Sequence, residues 1–246
     1  MMKKDLLDLT YPRQEIKEKT QTIYAQILTQ SKNLDQGNYT SIAVSDLRLL
    51  FELYDNTFFN SYFAENYEDK IYFRLSKRMT KAAGKTHRYM KTNDFVISLS
   101  TTLIFQTFND ITREIKVNGI ICHDRLEATM RVFEHEIIHV IEHILFDNSS
   151  CSKPSFKCLA YNIFNHTDVT HQLITQVEVA HENYNLHIGD IVSFEYEGHV
   201  YRGFINQITK RATVMVKDKN GEFKDSNGNR YAKFYIPIQY LKKTDS

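Results

Sequence analysis

The sequence predicts an α+β domain followed by a small all-β unit, and three observations carry that expectation. Apolar residues recur at helical spacing from Leu126 to Phe146 with no internal Gly or Pro. Short β-like runs, Ile71 to Leu75 and Phe95 to Leu99, stand between helical segments. Beyond Gly189 the texture changes to brief alternating runs broken by Gly198, Gly203, Asn220-Gly221 and Asn227-Gly228.

The first element is an amphipathic helix from Pro12 to about Ser31, with Ile16, Ile23, Tyr24, Ile27 and Leu28 on one stripe. Asn33 to Ser41 reads as a loop around Gly37. Ser45 or Asp46 is the expected N-cap of a second helix that turns Leu49, Leu50, Leu53, Tyr54 and Phe58 inward. The two β-like runs follow, separated by a turn at Ala82-Ala83-Gly84 and able to pair with each other. Asn118-Gly119 between apolar runs predicts a tight hairpin. The long helix comes next, then a loop from Asp147 to Pro154 and another helix from Phe156 to Phe164. The strands after Gly189, through Val192, Phe194, Ile205, Val214 and Val216, predict a small antiparallel barrel. The expected division is residues 1–40 as an N-terminal helix and linker, 41–186 as the main domain and 187–246 as the barrel.

Composition narrows the function classes. The 31 basic and 30 acidic side chains leave a net charge of +1, so the whole molecule offers no strong field for nucleic acid or an anionic membrane, and any such binding must be local. The start, Met1-Met2-Lys3-Lys4-Asp5, lacks the apolar stretch of a signal peptide, and no run approaches a membrane span. Three cysteines, Cys122, Cys151 and Cys158, are an odd count without framework spacing. These features predict a cytoplasmic protein without disulfides or a membrane partner. With 15 Tyr, 16 Phe and no Trp, the core must rest largely on phenyl and phenol rings.

Chemistry concentrates in the long helix, which carries His135-Glu136-Ile137-Ile138-His139. Residues four apart lie one turn above each other, so the imidazoles of His135 and His139 can converge on one metal ion. Glu136 then sits beside the ion as the candidate general base of a zinc hydrolase. A catalytic zinc usually has three protein ligands. His143 lies eight residues from His135, roughly 12 Å along the axis, and Glu142 roughly 10 Å, so neither can share the ion with His135. The loop beyond the helix, where the chain reverses, is the natural source of the third.

From Leu50 through Phe63, Leu75 to Lys85, Phe95 to Ser100, the motif His135 to His139, and Phe156 with His166-Thr-Asp-Val-Thr-His171, the chain resembles the SprT-like family, which includes Spartan-type proteases that degrade proteins crosslinked to DNA. The tail from Gly189 to Ile238 is similar to an SH3-like barrel that accompanies such domains. The resemblance spans roughly residues 45 to 243. It implies a zincin-like fold, a zinc ion, Glu136 as catalytic residue, a protein substrate and a DNA partner. One departure stands out. The family places a third histidine in a pattern like Cys-His-Gly-Pro-x-Phe, whereas this chain reads Cys151-Ser152-Lys153-Pro154-Ser155-Phe156 and puts Ser152 at that position. Either Cys151 substitutes as a thiolate one residue away or the ion is weakly held; His166 and His171 are more distant candidates for the third ligand.

Between Lys70 and Lys91 there are eight Lys or Arg and no Asp or Glu, interleaved with Tyr72, Phe73 and Tyr89. Lys77, Arg78, Lys81, Lys85 and Arg88 are the candidate contacts to a phosphate backbone. The resemblance, together with the zinc motif and this basic stretch, implies a zinc-dependent peptidase acting on DNA-associated proteins. The alternative is a degenerate SprT-like module that binds nucleic acid or protein without catalysis, and a metal-dependent hydrolase of another substrate class is a third reading.

Overall fold

The computed structural model describes residues 2–244 and divides into two compact units, with the border between Leu173 and Ile174. In the first unit a 3-10 turn, Lys3–Leu6, precedes helix α1, Arg13–Gln30. Its buried residues Ile16, Ile23 and Ile27 follow the apolar stripe and face helix α2, Val44–Phe58. α2 begins ahead of both expected caps, Ser45 and Asp46. Ala43 is the N-cap, and Asp46 acts from the third helical position, its carboxylate accepting the Ala43 amide at 2.6 Å. A short helix α3, Tyr62–Asn66, completes the first layer.

The rings form the core, as the composition requires. Tyr54, Phe58, Phe59, Phe63, Phe133 and Phe164 are fully buried and meet mostly edge to face or tilted, as at Phe58–Phe164, 5.1 Å between centroids. Each such ring stabilises the fold by roughly 1.5–3 kcal/mol over leaving it exposed.

Three strands make the sheet of this unit: β1, Ile71–Ser76; β2, Gly84–Tyr89; and β3, Asp94–Ser100. Their spatial order is β1-β3-β2. β1 and β3, the two runs legible in the sequence, pair in parallel with Ile71 opposite Phe95. β2 pairs antiparallel to β3, Gly84 opposite Leu99 and Tyr89 opposite Asp94, and so takes one edge of the sheet. Gly84, expected in a turn, instead opens this strand. β2 was invisible to hydrophobic periodicity because its side chains, Lys85 to Tyr89, are all polar or amphipathic.

Helix α4, Thr101–Gln106, leads to the hairpin of β4, Ile115–Val117, and β5, Ile120–Cys122. Asn118 and Gly119 both take positive φ, 53° and 80°, the two-residue turn that matches strand twist. Helix α5, Arg125–Phe146, starts at Asp124, whose carboxylate caps the Glu127 amide at 2.8 Å. Helix α6, Pro154–Phe164, follows the loop beyond it. The chain then returns along β4, with the Asn118 amide donating to Thr170 O, the Gln172 amide donating to Lys116 O, and Val117 bridging His171.

Among the described residues the second unit contains helix α7, Gln176–Tyr184, and six antiparallel strands: β6, Ile191–Tyr196; β7, His199–Ile208; β8, Ala212–Lys217; β9, Phe223–Lys224; β10, Arg230–Ile236; and β11, Lys242–Lys243. Ala180, Val192, Phe194, Ile205, Val214 and Ile236 build its own core. The expected all-β texture is present. A closed SH3-like barrel is not: among the described residues the ladder runs open, in the order β11-β6-β7-β8-β10-β9. The two edge strands are two residues long and lysine-bearing, which ends pairing rather than extending it. Among the described residues no helix is long and apolar enough to cross a membrane.

Candidate metal centre

α5 carries the motif on the side that faces β2 and the returning loop. The His135 and His139 rings lie 4.9 Å apart, one turn from each other, and Phe156 of α6 packs on both at 4.7 and 4.6 Å. The aromatic wedge fixes the ring planes. Burial holds both imidazoles neutral, pulling His135 down to about 3 and His139 to about 4, so each keeps a nitrogen lone pair at neutral pH.

The loop after α5 brings in Cys151. One ligand atom from each of His135, His139 and Cys151 lies within 4.8 Å of the other two, and among the described residues no other such cluster of three occurs. Two neutral imidazoles and a thiol suit zinc rather than a hard cation, which takes oxygen ligands. The buried Nδ1 of His135 has no hydrogen-bond partner. Nδ1 of His139 lies 2.6 Å from Ser149 Oγ, which leaves Nε2 as the ring nitrogen available to a metal. On donor chemistry and spacing the residues fit the ion.

Glu136 is buried beside this cluster. Its Oε2 accepts from Thr86 Oγ1 at 2.7 Å, and the same hydroxyl reaches the Glu136 carbonyl at 3.1 Å. Burial pushes the Glu136 carboxyl up to about 7, the Thr86 bonds offsetting part of the rise. β2 can approach so closely because residue 84 is glycine. A Cβ there would collide with Glu136 Oε1 and stand 2.8 Å from Glu136 Cγ. These side chains line a cleft of about 290 Å³ together with Val117 and His171. A larger groove beside α1, about 1120 Å³, brings no such ligand cluster together.

The other sequence candidates are distributed around this cleft. Ser152 is exposed, its hydroxyl 2.9 Å from that of Ser150. His166 is buried 2.8 Å from Glu134. His171 lines the cleft and donates from Nε2 to Lys81 O at 3.0 Å. Lys77, Arg78 and Lys81 are exposed between β1 and β2, and Lys85 is exposed on β2. Arg88 is engaged within the fold, donating to Asp147 Oδ1 at 2.9 Å, His143 O at 3.2 Å and Asn93 Oδ1 at 2.8 Å. Sequence reasoning missed Gly84 and Thr86, since nothing local marks a polar strand as the neighbour of a helix some fifty residues later.

Comparison with protein-family models matches residues 47–181, more than half of the chain, to the SprT-like family. No curated protein and no solved structure gives a match. The matched span holds the helix motif, the Cys151 loop and the polar edge strand together, and this chain belongs to the SprT-like family.

Proposed function

We propose that this chain is a zinc-dependent SprT-like peptidase in which His135, His139 and Cys151 hold the ion and Glu136 is the general base. The observation that carries the reading is the convergence of three donor atoms within 4.8 Å beside a buried carboxylate. When bound, the ion supplies Lewis acidity toward a scissile carbonyl and toward water. Glu136, poised near neutrality, accepts a proton from water and returns it to the leaving amine nitrogen. Thr86 and the absent side chain at Gly84 hold that carboxylate in place. Cys151 stands in for the family's third histidine. The substrate is read as protein associated with DNA, with Lys77, Arg78, Lys81 and Lys85 as the exposed cations that meet the backbone.

The second reading, a binding module without catalysis, is favoured by Ser152, whose hydroxyl bonds Ser150 where the family has an imidazole. Metal content of the purified chain, together with cleavage of a protein substrate by wild type and Glu136→Gln in the presence and absence of single-stranded DNA, separates the two. Stoichiometric zinc and cleavage abolished by Glu136→Gln support the peptidase. Cleavage by neither protein leaves the binding module, and equal cleavage by both overturns Glu136 as the base.

A further inference from the structure

The geometry points to Glu142 as a positioning residue of the metal centre: through Ser149 it fixes His139 as the Nδ1–H tautomer, and it ties the Cys151 loop to the same carboxylate. The inference rests on the metal reading above and adds to it the device that aims two of the three ligands.

Glu142 lies one turn beyond His139 on α5 and is 1% exposed. Its oxygens accept three hydrogen bonds, two from the loop, Ser149 Oγ at 2.8 Å and the Ser150 amide at 3.0 Å on Oε2, and one from the first turn of α6, Ser155 Oγ at 2.6 Å on Oε1. A serine hydroxyl has one proton, and Ser149 gives it to Glu142. The 2.6 Å contact between Ser149 Oγ and His139 Nδ1 must then be a bond that the imidazole donates. A neutral imidazole that donates from Nδ1 has its lone pair on Nε2, so the carboxylate dictates, through one hydroxyl, which nitrogen can ligate. Phe156 packs on both rings, but His135 has no comparable hydrogen-bond partner, its Nδ1 being buried and unbonded, so the choice of ligating nitrogen is set by hydrogen bonding only at His139.

The same three bonds bracket Cys151. Ser149 and Ser150 precede it and Ser155 follows it, so a single buried carboxylate sets where the loop returns relative to the helix. This explains how a residue twelve positions beyond His139 reaches the cluster without help from Ser152. A carboxylate three residues after the second histidine, too far along the axis to be a ligand itself, is well placed to orient ligands on both sides.

The test uses the full chain and the variants Ser149→Ala, Ser149→Thr and Glu142→Gln. Zinc affinity is measured by chelator competition, the Co²⁺ complex by its visible spectrum, and the His139 tautomer by ¹⁵N imidazole NMR on metal-free protein. Ser149→Ala and Glu142→Gln should weaken zinc binding about 10–100-fold and alter the Co²⁺ bands. Ser149→Thr, which keeps the hydroxyl, should restore both, and Ser149→Ala should mix the His139 tautomers while the unfolding midpoint of the metal-free protein barely moves. Wild-type zinc binding unchanged in the variants, or a wild-type His139 protonated on Nε2, overturns this inference alone. A wild type that binds neither metal overturns the metal reading and this inference with it.

Discussion

Thr86 Oγ1 donates to Glu136 Oε2 at 2.7 Å, joining an edge strand to the one carboxylate in the helix motif. The bond stabilises the ionised form of a group that burial drives toward neutrality. Thr86→Val removes it and moves the Glu136 carboxyl further up. Because the proposed base must be ionised to act, the acidic limb of the pH–rate profile should shift to higher pH than in wild type. Profiles of kcat/KM for the two proteins check this.

Gly84→Ala tests the closeness of the same strand. The added Cβ meets Glu136 Oε1 and Cγ, so either β2 or the carboxylate must move. A loss of about 1–3 kcal/mol in denaturant unfolding is expected, together with at least tenfold lower cleavage. Unaltered stability and rate would show that the strand yields freely.

Removing the thiol should cost metal. Cys151→Ala leaves two imidazoles, and two-ligand sites hold zinc weakly, so affinity should drop by about two orders of magnitude or more. Cys151→His, which restores a third nitrogen donor, should recover part of it. Dialysis against a chelator followed by metal analysis reads both.

The metal-free protein should be acid-labile. His135 and His139 are neutral when folded, with values of about 3 and about 4, and His166 is likewise lowered by burial, whereas in the unfolded chain each titrates near the ordinary histidine value of about 6.5. The unfolded state therefore binds more protons between about pH 6.5 and pH 3–4, and stability falls as pH drops through that window, levelling only below the folded values. Denaturation midpoints from pH 7.5 to 4 measure the slope. Added zinc should raise the midpoint at pH 7.5 and lose that effect on acidification, since protons compete for the ligands.

Arg88 and its neighbours should behave differently. Lys77→Glu with Arg78→Glu should weaken single-stranded DNA binding and flatten its salt dependence. Arg88→Ala should instead lower stability, because its guanidinium clamps Asp147 and the end of α5. Anisotropy titrations across a salt series, paired with melting curves, distinguish the two.

The sequence by itself determined what one helical turn or one tight turn can encode. Spacing four apart put His135 and His139 on one face of α5, Asn118-Gly119 made the hairpin, and the apolar periods located α1, α2, α5 and α6 to within a few residues. Such features depend on neighbours in the chain, so they survive without the rest of the fold. The tertiary structure decided everything that requires distant segments to meet. It paired β1 with β3 in parallel, drew the polar β2 against Glu136, folded the loop so that Cys151 rather than Ser152 joins the histidines, set Glu142 behind His139, and left the C-terminal sheet open. Polar side chains carry no periodic signature of their partners. Hydrogen bonds between residues far apart in sequence form only once the apolar core has fixed which backbones lie side by side.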